Sequence, residues 1–229
     1  MRILFVGNSN TYYNDLPGTL QALGQANGLD WEVDSITKGG WSFRQYAAED
    51  DVMHLPLKQK LEEQWDVIFL QDRTEYPLTD PESTFHGAEV IASMTSGNPK
   101  LFVYATFARD DGHPHLEKLG MTRAEMAAGV HRVMSETAAR IGAQLSDAST
   151  LFQYMKENRP DIGMYEADRG HPSPAGSYLA AILHYLSLTG TLPKNTAVVP
   201  SMTEKAETLR LLCAAEEYFA VYTTRGEKR

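Results

Sequence analysis

Short apolar runs alternate with segments of helical periodicity along most of the chain. The apolar run at residues 3–6 comes first, and the segment 16–26 then places Leu16, Leu20 and Leu23 on one helical face. A short continuous apolar run is typical of a strand that is buried on both faces of a parallel sheet. Repeated alternation of such strands with helices predicts an α/β fold, with a mostly parallel sheet and helices on both faces.

The same pattern predicts the individual elements. Strands are expected at residues 3–6, 31–36, 66–70, 101–105 and 143–145. Helices are expected at residues 16–26, 57–64, 81–94, 122–141, 151–156, 174–188 and 201–224. We therefore expect a three-layer α/β sandwich around a five-stranded sheet, in a single domain that spans residues 1–229 and ends with the helix at about 201–224.

Two loops and two helix starts stand out from this pattern. The loops at 106–121 and 159–172 are long for a compact domain, and long loops are often functional. Thr122 precedes Glu125, and Ser201 precedes Glu204, with the spacing of a capping box. The last helix has two alternative roles: it packs on the domain, or it forms the contact of a homo-oligomer.

Composition narrows the class of partner. The chain has 229 residues and a formal net charge of −9, with 42% hydrophobic and 22% charged residues. Nucleic acids and anionic membranes favour a basic protein face, so this balance argues against both as partners. The single cysteine, Cys213, excludes an intrachain disulfide and is expected to be a small core residue.

The hydrophobic pattern also bears on location. No apolar stretch approaches the roughly eighteen residues of a membrane-spanning helix, so no membrane span is expected. The apolar residues at the start of the chain are too few for a signal peptide. We expect a cytoplasmic protein by default, and a periplasmic or secreted protein if a leader has been removed.

A serine follows the first predicted strand, in the segment Gly7-Asn8-Ser9. Glycine two residues earlier allows a tight turn that would bring the serine hydroxyl to the open edge of the sheet. Small polar residues after a strand are also ordinary turn formers, so this segment alone does not establish a nucleophile.

An aspartate and a histidine lie three residues apart in the second long loop, as Asp168 and His171. A carboxylate at this spacing can accept the proton on Nδ1 of the imidazole, which leaves Nε2 free to act as a base towards a serine. The alternative is a surface loop whose histidine caps the following helix.

Two further polar positions follow predicted strands. Gly40 lies in a glycine pair after the second strand, and Gln71 comes directly after the third. Because ligands of open α/β sheets bind at the carboxyl ends of the strands, we expect Ser9, Gly40 and Gln71 to meet at one edge. A tight turn and a solvated strand end are the alternatives for Gly40 and Gln71.

Taken together, these segments resemble the sequence blocks of the SGNH hydrolases, also called the GDSL esterase and lipase family. Gly7-Asn8-Ser9 is similar to the Gly-Asp-Ser of block one, with asparagine in place of aspartate. Gly40 matches the glycine of block two, and the segment from Asp168 to His171 matches the Asp-x-x-His of block five. The resemblance spans residues 3 to about 185 and implies the flavodoxin-like fold of this family.

Block three departs from the family pattern. The family has Gly-x-Asn-Asp there, with the asparagine as an oxyanion donor, whereas this chain has Leu70-Gln71-Asp72. Glutamine carries the same amide on a longer side chain. The resemblance therefore implies a branch of the family in which Gln71 takes the role of that asparagine.

The resemblance implies a carboxylic ester hydrolase that cleaves a short-chain acyl ester through an acyl-enzyme, with an O-acetyl group on a carbohydrate as the favoured substrate. Ser9 would be the nucleophile, His171 the base, and Asp168 the residue that orients the base. The oxyanion hole would consist of the amides of Ser9 and Gly40 and the side chain of Gln71. The implied reaction needs no metal or cofactor.

Substrate contacts are expected from polar and aromatic residues that lie close to these segments in the sequence. They are Asn10, Tyr12, Trp41, Tyr76 and Phe107. Aromatic walls suit sugar rings or small acyl groups, so the expected partner is a small-molecule ester. Ordinary packing under loops is the alternative for each of these residues.

Two other functions compete with the hydrolase. His113 and His115, with Asp110 and Asp111, could hold a metal, although Pro114 breaks the segment and no distant third ligand is evident. A non-catalytic protein that binds a carbohydrate or another ligand on the same fold is the second alternative, because block three is altered.

Overall fold

The protein, described by a computed structural model for the backbone of residues 1–226 and the side chains of residues 1–222, is built on one parallel sheet. Its strands are β1 (Arg2–Gly7), β2 (Glu32–Thr37), β3 (Val67–Leu70), β4 (Lys100–Ala105) and β5 (Gln144–Asp147). The strand order is β2-β1-β3-β4-β5, and every neighbouring pair is parallel. The predicted α/β fold is confirmed. The order reverses direction between β1 and β3, which is where open α/β sheets usually bind their ligands.

Helices cover both faces of the sheet. They are α1 (Ser9–Tyr12), α2 (Leu16–Ala26), α3 (Phe43–Ala47), α4 (His54–Leu61), α5 (Tyr76–Thr79), α6 (Pro81–Ser93), α7 (Pro114–Leu119), α8 (Arg123–Arg140), α9 (Ala148–Asn158), α10 (Pro174–Thr189) and α11 (Lys205–Gly226). A 3-10 turn, Tyr13–Asp15, joins α1 to α2. Within the described part of the chain, none of these helices is both long and apolar enough to cross a lipid bilayer.

The central strands are apolar throughout because each of their faces is covered. In β1, Ile3 and Phe5 pack with α2, α9, α10 and α11, whereas Leu4 and Val6 pack with α3, α4, α6 and α8. Successive side chains of a strand point to opposite faces, so one short run contributes to two cores. This explains why a continuous apolar run predicts the strand correctly.

Short helices are the elements that the hydrophobic pattern misses. α1, α3 and α5 each have four or five residues, too few to show a helical period. α7 lies inside the predicted loop 106–121, which is a correction to that prediction. Its signals are local ones, since Pro114 stands in its first turn and Gly120 ends it with a φ of 62°.

The two predicted helix caps have different outcomes. Thr122 and Glu125 form the expected capping box at the start of α8. The cap predicted at Ser201 is wrong, because α11 begins at Lys205 and the Ser201 hydroxyl donates to the carbonyl of Asn14.

α11 packs on α9 and α10, so the first of its two expected roles is the one the fold shows. Leu211, Leu212 and Tyr218 are buried in that contact. Cys213 is exposed on the other side of the helix, so its predicted core position is wrong.

Candidate active site

The turn after β1 presents Ser9 as the first residue of α1. Asn8 caps this helix, because its Oδ1 accepts the amide of Asn10 at 3.1 Å. The other side-chain atom of Asn8, Nδ2, donates to the carbonyl of Trp41 at 2.8 Å. Asn8 therefore ties the serine turn to the loop that follows β2, and this second contact needs an amide donor that an aspartate lacks.

Gln71 lies directly beneath the serine turn and is fully buried. Its Oε1 accepts the amide of Asn8 at 2.8 Å and the hydroxyl of Thr11 at 2.9 Å. Its Nε2 donates to the carbonyl of Asp72. Both ends of the side-chain amide thus bond to protein groups, but Nε2 carries a second N–H, and the expected role of Gln71 as an oxyanion donor stays a prediction.

The close approach of Gln71 explains the glycine before Asn8. A Cβ at Gly7 would lie 2.5 Å from Gln71 Oε1 and 2.5 Å from Thr11 Oγ1. These distances leave no room for a side chain. The glycine of block one is therefore needed here for space rather than for an unusual backbone angle.

The loop between α9 and α10 carries Asp168 and His171 and is folded back on itself. Tyr165 and Pro172 pair as an antiparallel bridge, and the amide of Glu166 donates to the carbonyl of His171 at 3.0 Å. Arg169 turns the chain with a φ of 59°. This compact turn brings the carboxylate of Asp168 back onto the ring of His171.

Ser9, His171 and Asp168 are hydrogen-bonded in series. The Ser9 hydroxyl lies 2.9 Å from His171 Nε2, and His171 Nδ1 lies 2.5 Å from Asp168 Oδ2. A carboxylate accepts a proton and does not donate one, so it selects the tautomer with the proton on Nδ1 and leaves Nε2 as the acceptor for the serine. The three residues that the sequence predicts as a triad are thus brought together.

Asp168 is stabilised in its ionised form. Partial burial works to raise its pKa, but hydrogen bonds from the His171 ring and from the amides of His171 and Gly170 hold this pKa well below its usual range. The two amides donate to Oδ1 at 2.9 Å and 2.8 Å, while the ring uses Oδ2. The carboxylate is therefore charged and fixed in orientation at neutral pH.

Tyr13 covers one face of the histidine. Its ring and that of His171 are stacked, and the ring lies in the 3-10 turn a few residues after Ser9. Tyr13 lies close to Ser9 in the sequence, as an aromatic residue that could face a ligand, but its contact with His171 could not be predicted. The signal that it belongs to the site is tertiary, since 158 residues separate the two rings along the chain (171 − 13).

Asp72 is a buried carboxylate that joins the segments around the site. It accepts hydrogen bonds from the amide of Phe43 at 2.8 Å, from the hydroxyl of Thr84 at 2.8 Å and from the amide of Arg73 at 2.7 Å. Burial raises its pKa to about 6, although these donors oppose the shift. Asp72 thereby anchors the start of α3 and, through it, the loop that carries Gly40.

The expected substrate contacts divide into two groups. Tyr12 is 44% exposed, and Trp41 and Tyr76 are half-buried, so these three can face a ligand. Asn10 and Phe107 are buried, and their predicted contacts with substrate are wrong. The side chain of Asn10 donates to Thr74 Oγ1 at 3.1 Å, and the ring of Phe107 stacks in the core on Phe152 at 4.0 Å.

Gly40 lies in an exposed turn with a φ of 74°. A residue with a side chain rarely adopts this angle, so glycine is required by the backbone here. Nothing crowds a Cβ at this position. The turn leaves the backbone of Gly40 open towards solvent.

The histidines considered for a metal bind neighbouring protein groups. Glu75 Oε1 accepts His115 Nδ1 at 2.7 Å, and His113 Nδ1 accepts the amide of His115 at 3.1 Å. Burial works to raise the pKa of Glu75, but the charge of Arg109 and the hydrogen bonds from His115 and Arg109 lower it to about 2. Among the described residues, no group of three or more suitable side chains could hold a metal ion.

Two other histidines lie near a serine, as in a catalytic triad, but their hydrogen bonds differ from those of a triad. Asp147 accepts both His131 Nδ1 at 2.6 Å and the Ser149 hydroxyl at 2.6 Å, so the serine bonds to the carboxylate and not to the ring. His184 lies 2.8 Å from Ser146 Oγ but is fully buried. Burial lowers the pKa of His184 to about 3. Of these pairs, neither combines a base, an orienting carboxylate and an accessible hydroxyl.

No protein-family model matches the sequence, and no curated protein matches it significantly. Solved structures do match. A candidate SGNH hydrolase from Slackia heliotrinireducens has 28% sequence identity and a TM-score of 0.71, over 82% of this chain and 98% of that chain. A DUF4886 family protein from Bacteroides uniformis ATCC 8492 has 16% identity and a TM-score of 0.78, over 96% of this chain and 95% of that chain.

The acetyl xylan esterase AlAXEase is also similar in fold, with 18% identity and a TM-score of 0.61 over 82% of this chain and 100% of that chain. The chain thus has the α/β fold of the SGNH (GDSL-like) hydrolases, and its 28% identity to one of them supports the resemblance that the sequence blocks indicate.

Proposed function

We propose that this protein is a serine esterase that cleaves a short-chain acyl ester through an acyl-enzyme. The observation that supports this most directly is the hydrogen-bonded series from Ser9 through His171 to Asp168, at 2.9 Å and 2.5 Å. The geometry suits a nucleophile, a general base and a residue that orients the base.

In the proposed acylation step, Ser9 Oγ attacks the carbonyl carbon of the ester while its proton passes to His171 Nε2. Asp168 stabilises the imidazolium that forms. The tetrahedral intermediate then collapses, the bond to the alcohol oxygen breaks, and His171 returns the proton to the departing alcohol. Deacylation repeats these steps with water as the nucleophile and releases the acid and free Ser9.

We propose that two backbone amides form the oxyanion hole, those of Ser9 and Gly40. Ser9 is the first residue of α1, where the amides of a helix have no partner within the helix. Gly40 offers an open backbone at the neighbouring strand end. One such donor contributes about 3 kcal/mol to the transition state. Gln71 acts indirectly in this scheme, by holding the turn that carries Ser9.

The substrate class proposed is a short acyl ester, with an acetyl group on a carbohydrate as the first candidate. Tyr12, Trp41 and Tyr76 present partly exposed rings, and rings of this kind suit the apolar faces of sugars. The acetyl xylan esterase among the structural neighbours supports a test on acetylated polysaccharide.

The test is hydrolysis of p-nitrophenyl acetate, butyrate and octanoate and release of acetate from acetylated xylan. The wild-type protein is expected to prefer acetate and to react with a fluorophosphonate probe. Ser9→Ala should lower kcat by at least about a thousandfold and abolish labelling. Ser93→Ala, at the end of α6, is the matched control and should behave as wild type. Undiminished turnover in Ser9→Ala would exclude the proposed mechanism.

A further inference from the structure

The two peptide carbonyls that flank His171 are each held by a side chain from elsewhere in the chain. Arg109 Nη1 donates to the carbonyl of Gly170 at 2.6 Å, and Asn14 Nδ2 donates to the carbonyl of Pro172 at 2.9 Å. Neither donor belongs to the segments that match the family blocks. The backbone on both sides of the candidate base is thus fixed from outside its own loop.

The guanidinium of Arg109 is itself fixed by Glu75. Its Nε and Nη2 lie 2.7 Å and 2.6 Å from Glu75 Oε1. The side chains of Arg109 and Glu75 are only 13% and 10% exposed, so this ion pair is shielded from solvent and held in one geometry. Glu75 follows β3 and Arg109 follows β4, so the rigid edge of the sheet supports the contact with Gly170.

Other contacts dock the same loop on the segment after β4. The amide of Asp110 donates to the carbonyl of Arg169 at 2.9 Å, and the Tyr165 hydroxyl donates to the carbonyl of Ala108 at 2.9 Å. These bonds hold the loop in place as a whole. The bond from Arg109 differs from them because its acceptor is the residue directly before His171.

The approach of Arg109 to Gly170 is close. A Cβ at Gly170 would lie 3.1 Å from Arg109 Nη1 and 3.2 Å from His113 Nε2, which is tighter than ordinary contacts. The glycine between Asp168 and His171 therefore admits the guanidinium to the backbone. A charged donor at 2.6 Å makes a short, strong hydrogen bond to a carbonyl.

We propose that Arg109, oriented by Glu75, is a positioning residue that sets the place of His171 relative to Ser9. This inference rests on the proposed function, since it assigns Arg109 to the machinery of that same site. Arg109 acts through the Gly170 carbonyl and does not touch the reacting atoms. The 2.9 Å contact between Ser9 Oγ and His171 Nε2 depends on the histidine backbone, so a loosened Gly170 lengthens it.

The kinetic test compares Arg109→Met, Arg109→Lys and Asn14→Gly with wild type on p-nitrophenyl acetate. Arg109→Met should lower kcat by about tenfold to a hundredfold and leave KM within about threefold, because misplacing a catalytic group by about 1 Å costs this much. Arg109→Lys keeps the charge but lacks the planar fork that reaches Glu75 and Gly170 together, so it should restore only part of kcat. Asn14→Gly keeps the left-handed backbone at residue 14 and tests the second carbonyl.

Arg123→Met is the matched control for loss of a buried, ion-paired arginine. The Arg123 side chain is 12% exposed and bonds to Asp111 and Gln153 rather than to the candidate catalytic loop. Its melting temperature should fall about as much as that of Arg109→Met, with kcat unchanged. If both variants lose kcat in proportion to their stability, the proposed role of Arg109 is wrong.

A spectroscopic measurement separates this inference from the proposed function. The His171 Nδ1 proton, bonded to Asp168, should give a low-field proton resonance that is assigned by its loss in His171→Gln. The resonance should shift or broaden in Arg109→Met and stay in place in Arg123→Met. An unchanged resonance in Arg109→Met overturns the positioning role even if the protein hydrolyses no ester. Loss of the proposed function alone would appear as an inactive wild type in which the resonance still responds to Arg109→Met.

Discussion

The ring of Tyr13 lies flat against the imidazole of His171, with centroids 4.1 Å apart and planes inclined by 6°. The stack leaves the edge of the imidazole for its two hydrogen bonds and closes one face to solvent. In the same 3-10 turn, Asn14 Nδ2 donates to the carbonyl of Pro172, so the turn contacts both the ring of the candidate base and the backbone directly after it.

The stack predicts that kcat depends on the aromatic ring of Tyr13 and not on its hydroxyl. Tyr13→Phe should keep kcat for p-nitrophenyl acetate near that of wild type. Tyr13→Ala should lower kcat by about 3- to 10-fold, because an aromatic pair contributes about 0.5–1.5 kcal/mol beyond its buried area. Equal losses in the two variants would contradict this role and point to the hydroxyl.

Asn8→Asp would introduce the aspartate typical of block one, and we expect it to lower both stability and activity in this protein. The introduced carboxylate would face the carbonyl of Trp41. It has no N–H to replace Asn8 Nδ2, which now donates to that carbonyl at 2.8 Å. At pH 7 the free energy of unfolding should fall by about 1–3 kcal/mol, and kcat should fall with it. Urea unfolding at pH 7 and pH 5 checks whether the carboxylate charge is the cause. Protonation of the carboxylate should narrow the difference in unfolding free energy between the variant and wild type. A difference that is constant with pH would contradict it.

Gln71→Ala distinguishes a buried positioning residue from an oxyanion donor. It leaves the amide of Asn8 and the hydroxyl of Thr11 without their buried acceptor, so the free energy of unfolding should fall by about 2–4 kcal/mol. Urea unfolding and kcat are measured on the same samples. A donor that acts only in the transition state would lower kcat and leave stability near wild type, and that outcome would restore the expectation drawn from the family pattern.

The proposed triad predicts that its members act as a unit. Ser9→Ala and His171→Ala should each remove nearly all turnover, and the double variant should be no more than about threefold worse than the poorer single variant. Steady-state rates on p-nitrophenyl acetate give the comparison. Losses that multiply in the double variant would mean that the two residues work independently.

His184 predicts a loss of stability in mild acid. Burial lowers its pKa to about 3 in the folded protein, whereas an unfolded histidine titrates near about 6.5. The unfolded chain therefore takes up the proton first, and stability decreases as the pH falls below about 6.5. Between pH 7 and pH 5, wild type should lose about 2 kcal/mol more than His184→Gln, as measured by urea unfolding. Parallel pH profiles for the two proteins would refute this.

Much of the fold could be predicted from the sequence because the strands are buried on both faces. Runs such as Val67–Leu70 are apolar without a break, and the helices between them are long enough to show their period. α1 and the turn Tyr13–Asp15 could not be predicted in this way, since they have four and three residues. They depend on caps and on tertiary contacts.

In the candidate site, too, some residues could be predicted from the sequence and others depend on tertiary contacts. Ser9, Asp168 and His171 could be predicted because a motif specifies both the residue type and its place at a strand end or loop. The orientation of the Gln71 amide could not be predicted, because a motif position does not say which way an amide points. Closeness in sequence likewise misassigned Phe107, which lies next to a strand end but turns into the core.

The contacts made by Arg109 and Asn14 could not be predicted from the sequence at all. Each reaches a carbonyl in the loop that carries His171, across 61 and 158 residues of chain. A backbone carbonyl has no sequence signature, so only the fold reveals such a bond.

The tight fit between Gly7 and Gln71 has an evolutionary consequence. Gly7 is crowded both by Gln71 after β3 and by Thr11 in α1, so a larger residue at position 7 requires smaller or displaced side chains at both. Among relatives of this chain, substitutions at Gly7 should therefore be accompanied by changes at positions 71 and 11, and a lone change at Gly7 should be selected against. Such linked variation would identify relatives that share this serine turn even where their other motifs have diverged.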